Sequence, residues 1–192
     1  LGNHSFWGAG AGFALDTRQK VTVVTQFVTD DGGDSGKLTA IRRFYKQGSR
    51  VVNTPQLVVG KGGTFDELSH DYCAAEVKTF NDSTNFLQKG GFGAMDAAFD
   101  KGMVLVMSLW DDHAADMLWL DSTYPTDTPH APGAVRGACP TTSGVPKDVE
   151  RDTPNAKVAF SNIRFGEIGS TDGGHSPKPS PKPSPSPPAP TP

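Results

Sequence analysis

Two cysteines in 192 residues are too few for a disulfide-stapled scaffold or a four-thiolate metal site. They stand at Cys73 and Cys139 with no CxxC pair or His/Cys cluster beside them, so no zinc centre of that kind is expected. From the residues alone, a Cys73–Cys139 bond is the plain expectation. A large excess of either charge is missing as well. The chain carries 18 basic and 21 acidic residues, a net charge of −3, and no basic patch, which argues against a nucleic-acid partner. Long apolar runs are missing too. The longest, MVLVMSLW at residues 103–110, falls far short of the ~18 residues a spanning helix needs, so no membrane partner is expected. There is no initiating Met and no apolar leader, and a chain starting at Leu1 is expected to be processed or part of something longer.

What is plentiful points to short strands. The chain has 22 glycines and 16 prolines and few helical patterns, at a length that suits one domain. VTVVTQFV at 21–28 and KLTAIRRFY at 37–45 flank a turn-rich DDGGDSG and predict an antiparallel hairpin. In the second strand Leu38, Ala40 and Arg42 share one face. A further short strand is expected at 49–52. Helices are predicted over 66–80 and 91–101, the latter closed by Gly102. Residues 103–110 read as a buried strand. Residues 156–168 alternate as another, with a phase slip at Asn162 that suggests a bulge. Together these predict an all-β sandwich with small helices packed on loops. The composition changes near Gly169, and residues 171–192 hold nine of the sixteen prolines and no large apolar residue, which predicts a disordered Pro/Ser-rich linker of extended polyproline type.

Chemistry gathers at residues 103–125, MVLVMSLWDDHAADMLWLDSTYP, where aromatics and carboxylates arrive at a strand end. Pyranose rings offer apolar C–H faces to aromatics and hydroxyls to carboxylates, so this mixture suits a sugar. Trp110 and Trp119 suit core packing and a ligand platform equally. Asp111, Asp112 and Asp116 read as a solvated turn, with a sugar cleft or calcium as alternatives, although the spaced oxygen ligands of a calcium loop are lacking. His113 reads as a lone surface histidine, and no metal and no cofactor are expected. A glycosidase needs two carboxyl groups, which on a strand fall at i, i+2 or i, i+4. No such pair lies in an apolar strand. Glu150 and Asp152 have the spacing but precede Thr153-Pro154 and read as a solvated loop. No G-x-S-x-G nucleophile motif occurs either. Asn3-His4-Ser5 and Asn81-Asp82-Ser83 fit the N-glycosylation pattern at Asn3 and Asn81.

SLWDDHAADMLWLDSTYPTDTPHAPGAVRGACPTTSGVP at 108–146 resembles the C-terminal part of glycoside hydrolase family 7, the cellobiohydrolases and endoglucanases. LGNHSFWGAGAGFALDT, VTVVTQF, DYCAAE and PNAKVAFSNIRFGEIGST extend the likeness over 1–171. The resemblance implies a concanavalin A-like jelly-roll β-sandwich over residues 1–170, with a linker at 171–192 leading to a C-terminal cellulose-binding module. It implies a secreted, monomeric, retaining enzyme that degrades cellulose and releases cellobiose from chain ends. Its partners are cellulose and cellooligosaccharides. The family's Glu-x-Asp-x-x-Glu catalytic strand has no match here and is expected upstream of Leu1, so no residue of this chain is assigned as catalytic and the chain alone is expected to be inactive and poorly folded. By the family pattern Cys73 and Cys139 would pair with upstream cysteines, leaving both as thiols here. Trp110 resembles the platform on the non-reducing side of the cut, Trp119 the product-side stacking residue, and Arg136 a product-site arginine. Asp111 and Tyr124 are implied as neighbours in the groove. Asn3 matches a glycosylated family position. The loop before Ala138 favours the cellobiohydrolase type, and Ala114, standing where some members carry an aromatic, implies an opened tunnel roof. An endoglucanase of the same family and a non-catalytic glucan-binding jelly roll are the alternatives.

Overall fold

The computed structural model describes Asn3, residues 5–61 and residues 63–172; the expected linker from residue 173 onward lies outside the described residues. The N-terminal segment folds back through a short parallel pair, β1 (Trp7–Gly8) and β2 (Leu15–Asp16). Leu15 is fully buried and clusters with Phe6 and Tyr45, whose rings meet edge to face at 5.6 Å.

The predicted hairpin is the centre of the fold. β3 (Thr22–Thr29) and β4 (Leu38–Gln47) pair antiparallel from Thr22 opposite Lys46 to Thr29 opposite Leu38, with a register shift at Val28/Thr29. Carboxylates close the connection: Asp30 Oδ1 accepts from Lys37 N at 2.9 Å, and Asp31 Oδ1 accepts from Gly33 N at 2.8 Å. Along β4 the side chains alternate, and Leu38, Ala40 and Phe44 are buried on one face. Arg42 lies in the same row, half-buried, and Glu67 neutralises it at 2.5 Å. The two ends of β4 take different partners. β5 (Arg50–Asn53) pairs with its C-terminal end.

A second small ladder joins β6 (Leu57–Val58) to β7 (Thr64–Phe65). β8 (Leu68–Ser69) then pairs with Ala40 and Ile41 of β4 and completes a four-stranded sheet. Because β8 takes residues 68 and 69, the first helix starts later than the sequence predicts. α1 (His70–Phe80) is capped by Ser69, whose Oγ accepts from Tyr72 N at 3.3 Å, and ends at Asn81 in the left-handed conformation. α2 (Gly91–Asp100) occupies the predicted span and packs on the sheet, with Phe99 edge-on to Phe27 at 4.8 Å. α3 (Leu118–Asp121) follows. α4 (Pro146–Asp152) was not foreseen, although Pro146 in its first turn and Asp148 near its N-terminus are ordinary helix-start signals. Glu150 and Asp152 therefore stand on a helix, not in a loop.

Two expected strands do not form ladders. Residues 103–110 make no backbone hydrogen bonds among the described residues, and Val104 is 87% exposed. Residues 156–168 join no ladder among the described residues either and are exposed, with Asn162 at φ 53 where a bulge was expected. An apolar, β-branched sequence favours extended backbone, but burial comes only from a neighbouring strand and a facing layer. Neither is present beside these segments among the described residues. The other sheets there are two-stranded, so the described part is one antiparallel sheet with short ladders and few helices. Cys73 and Cys139 are unpaired, contrary to the expectation from the residues alone. Burial, followed by the nearby Glu76 carboxylate, pushes the Cys73 thiol above its ordinary pKa, and the exposed Cys139 thiol is raised by slight desolvation and the neighbouring Asp121 carboxylate.

Candidate functional site: an aromatic surface braced by Asp112

The unpaired apolar segment leads directly into a tightly bonded turn. Asp112 organises it. Its Oδ1 accepts from Ala114 N at 2.9 Å and Ala115 N at 3.2 Å, and its backbone carbonyl accepts from Asp116 N at 2.9 Å. Asp116 and Met117 then take left-handed conformations at φ 52 and 58, reversing the chain so that α3 starts. The other carboxylate oxygen of Asp112 accepts from Trp119 Nε1 at 2.7 Å, fixing the indole on α3. That indole N–H, followed by the backbone N–H donors, holds the Asp112 carboxyl below the usual carboxylate range.

Trp110 stacks on the anchored ring. The centroids stand 6.1 Å apart with the planes 26° from parallel. A sugar between them would need roughly twice the ~3.5–4 Å of carbon–carbon contact, so the pair offers a shared outer surface instead of a slot. Trp110 is 56% exposed and Trp119 half-buried. Such exposure of a large aromatic marks a surface able to take an apolar ligand face.

The end of α3 clamps a second loop. Ser122 is fully buried; its Oγ donates to the Cys139 carbonyl at 2.7 Å, and its own carbonyl accepts from Arg136 N at 2.8 Å and Gly137 N at 3.2 Å. Gly137 is required by the close approach, since a Cβ there would lie 2.0 Å from the Asp121 carbonyl oxygen. Thr123 bridges Val135, and Tyr124 N donates to the Ala134 carbonyl at 2.9 Å. Trp119, Tyr124 and Arg136 thus belong to one hydrogen-bonded unit, with Tyr124 half-buried and Arg136 exposed.

Asp111 turns the other way. Its Oδ1 lies 3.6 Å from His113 Nε2, which in turn lies 3.7 Å from Glu150 Oε1 on α4. His113 is therefore not the lone histidine expected. Asp112, read as part of a solvated turn, is the residue that sequence reasoning missed. The signal available was an Asp two residues before Ala114, the spacing of a side chain capping its own turn. Asn3 is exposed, its Oδ1 accepting from Ser5 N at 3.0 Å, and Asn81 is exposed beyond α1. Among the described residues, no helix is long and apolar enough to cross a membrane.

The model of glycosyl hydrolase family 7 matches residues 1–172. A family 7 cellobiohydrolase from Daphnia pulex is 47% identical, with a TM-score of 0.82 over 88% of this chain and 38% of its own. A cellobiohydrolase from Melanocarpus albomyces, solved with cellotetraose, is 41% identical, with a TM-score of 0.74 over 88% of this chain and 37% of its own. The Humicola insolens endocellulase is more distant at 28%, with a TM-score of 0.63 over 79% and 33%. The chain thus spans less than two fifths of the length of these relatives. It belongs to glycosyl hydrolase family 7.

Proposed function

We propose that this chain supplies the glucan-binding surface of a secreted, retaining cellobiohydrolase that degrades cellulose and releases cellobiose from chain ends. The observation that carries the proposal is the Trp110–Trp119 surface, with Trp119 braced by Asp112 at 2.7 Å, in a chain of this family. Two rings in near-parallel planes suit the flat, apolar faces of consecutive glucosyl units. Trp110 would carry the unit on the non-reducing side of the cut and Trp119 the product side. Arg136 would donate to product hydroxyls through its planar fork, with Asp111 and Tyr124 beside it. The cellotetraose complex of the Melanocarpus albomyces enzyme supports a cellooligosaccharide as the ligand class.

Retaining hydrolysis needs a nucleophile and an acid/base about 5–5.5 Å apart. We place both in a Glu-x-Asp-x-x-Glu strand outside these 192 residues, in the remainder of a jelly-roll catalytic domain of which residues 1–170 are a part. Residues 171–192 then form a linker to a cellulose-binding module. The domain is proposed to act as a monomer outside the cell, glycosylated at Asn3 and Asn81. The more similar relatives favour the cellobiohydrolase over the endoglucanase type.

The test pairs binding with turnover. The purified chain should bind cellotetraose and leave a soluble aryl cellobioside intact, whereas the full open reading frame should release cellobiose. Hydrolysis by the 192-residue chain would overturn the assignment of catalysis to an outside strand. A full reading frame without the Glu-x-Asp-x-x-Glu strand would leave a glucan-binding jelly roll.

A further inference from the structure

We propose that Asp111, His113 and Glu150 form a binding site for a divalent cation of the zinc type. His113 Nε2 stands between the two carboxylates, 3.6 Å from Asp111 Oδ1 and 3.7 Å from Glu150 Oε1, and the three ligand atoms all lie within 4.8 Å of one another. These separations exceed hydrogen-bonding range, so the groups converge without bonding one another. They are close to what a metal requires: donors held ~2.0–2.2 Å from a tetrahedral ion stand ~3.3–3.6 Å apart. Two edges are nearly at that length. A small rotation of Glu150, 62% exposed on its side chain, would close the third. One imidazole nitrogen with two carboxylate oxygens is a donor set that zinc accepts, and the exposed side leaves the fourth position to water.

The backbone holds both halves of the site in place. On one side the carboxylate of Asp112, next to Asp111, ties down residues 114 and 115 and reaches Trp119. On the other, Gly144 at φ +79 lets the chain entering α4 lie against the Asp116 carbonyl; a Cβ there would come within 1.9 Å of that oxygen. This contact keeps α4 over the 111–116 turn. Arg151 does not compete for Glu150, because its guanidinium is engaged by Asp148 at 2.6 Å and Asp152 at 2.7 Å. A bound cation would neutralise two carboxylates and join α4 to the segment that carries Trp110.

The test is calorimetric titration of ZnCl2 into the metal-free full chain near neutral pH, with thermal unfolding alongside. One site is expected, with a higher unfolding midpoint in Zn2+ and tetrahedral d–d absorption when Co2+ replaces it. His113→Ala and Glu150→Gln should each weaken Zn2+ at least tenfold, and Asp111→Asn likewise. His70→Ala and His130→Ala should leave it unchanged. His113 is 74% exposed on its side chain, so its removal should leave the fold intact, which near-UV circular dichroism checks. Absence of binding, binding indifferent to His113→Ala, or dependence on His113 alone without the carboxylates would each overturn the three-ligand site.

Discussion

The β3–β4 hairpin and residues 103–110 are both apolar, β-branched stretches, yet one is the centre of the structure and the other lies open. In the hairpin, each strand finds its partner eight residues away, so its ladder, its turn and its buried face all come from local sequence. Residues 103–110 are as apolar but have no ladder partner among the described residues. Propensity specifies the backbone shape; pairing and a facing layer supply the burial. The Trp110–Trp119 surface begins where the open segment ends.

The largest expected contrast is in stability. Phe44 is fully buried on β4, so Phe44→Ala should cost about 3–5 kcal/mol of transfer and cavity energy. Val106 is 78% exposed, and Val106→Ala should change stability by no more than about 0.5 kcal/mol. Urea unfolding of the chain measures both; equal losses would mean that residues 103–110 are covered in solution. Next comes Gly144→Ala, which sets a side chain against the Asp116 carbonyl at a left-handed position and should destabilise by about 1–3 kcal/mol. A neutral result would show that the 111–116 turn is free of α4. Smaller still, Trp119→Phe removes the N–H bound to Asp112, and the loss should be about 1–2 kcal/mol, read from the same unfolding curves.

The smallest effect is a titration. The Asp112 carboxyl is held below its ordinary range in the folded state, so its anion stabilises the fold at neutral pH. That contribution should disappear as pH falls through the depressed value, below the range where free carboxylates titrate. Tryptophan emission should shift in that acid window, and Asp112→Asn should abolish the step. A step unchanged in the variant would assign it to another carboxylate.

How much of this was legible depended on how local each feature is. VTVVTQFV and KLTAIRRFY, separated by a glycine–aspartate turn, specify a hairpin with both partners in view, and Leu38, Ala40 and Arg42 fell on the face predicted. Trp110 and Trp119 were legible as candidates from composition, but their 6.1 Å separation was not, because the reversal at Asp116 and Met117 relies on left-handed residues that carry no glycine signal. Asp112 looked like one of three solvated aspartates; only the turn it caps distinguishes it. Glu150 meets His113 across 37 positions of sequence, through a backbone approach at Gly144 that no periodicity announces. The exposure of residues 103–110 was misread for the complementary reason. An apolar run says what a strand needs, not whether the neighbour is there.

The central claim, that Trp110 and Trp119 form a glucan platform, is tested most directly by calorimetric titration of cellotetraose into the chain and its Trp110→Ala variant, with Trp7→Ala as the control. Saturable binding weakened about tenfold in Trp110→Ala and unchanged in Trp7→Ala is the predicted result, as expected for an aromatic hot spot worth more than about 1 kcal/mol. Equal affinity in the Trp110→Ala variant, or no saturable binding by a chain whose near-UV spectrum shows ordered tryptophans, would contradict it.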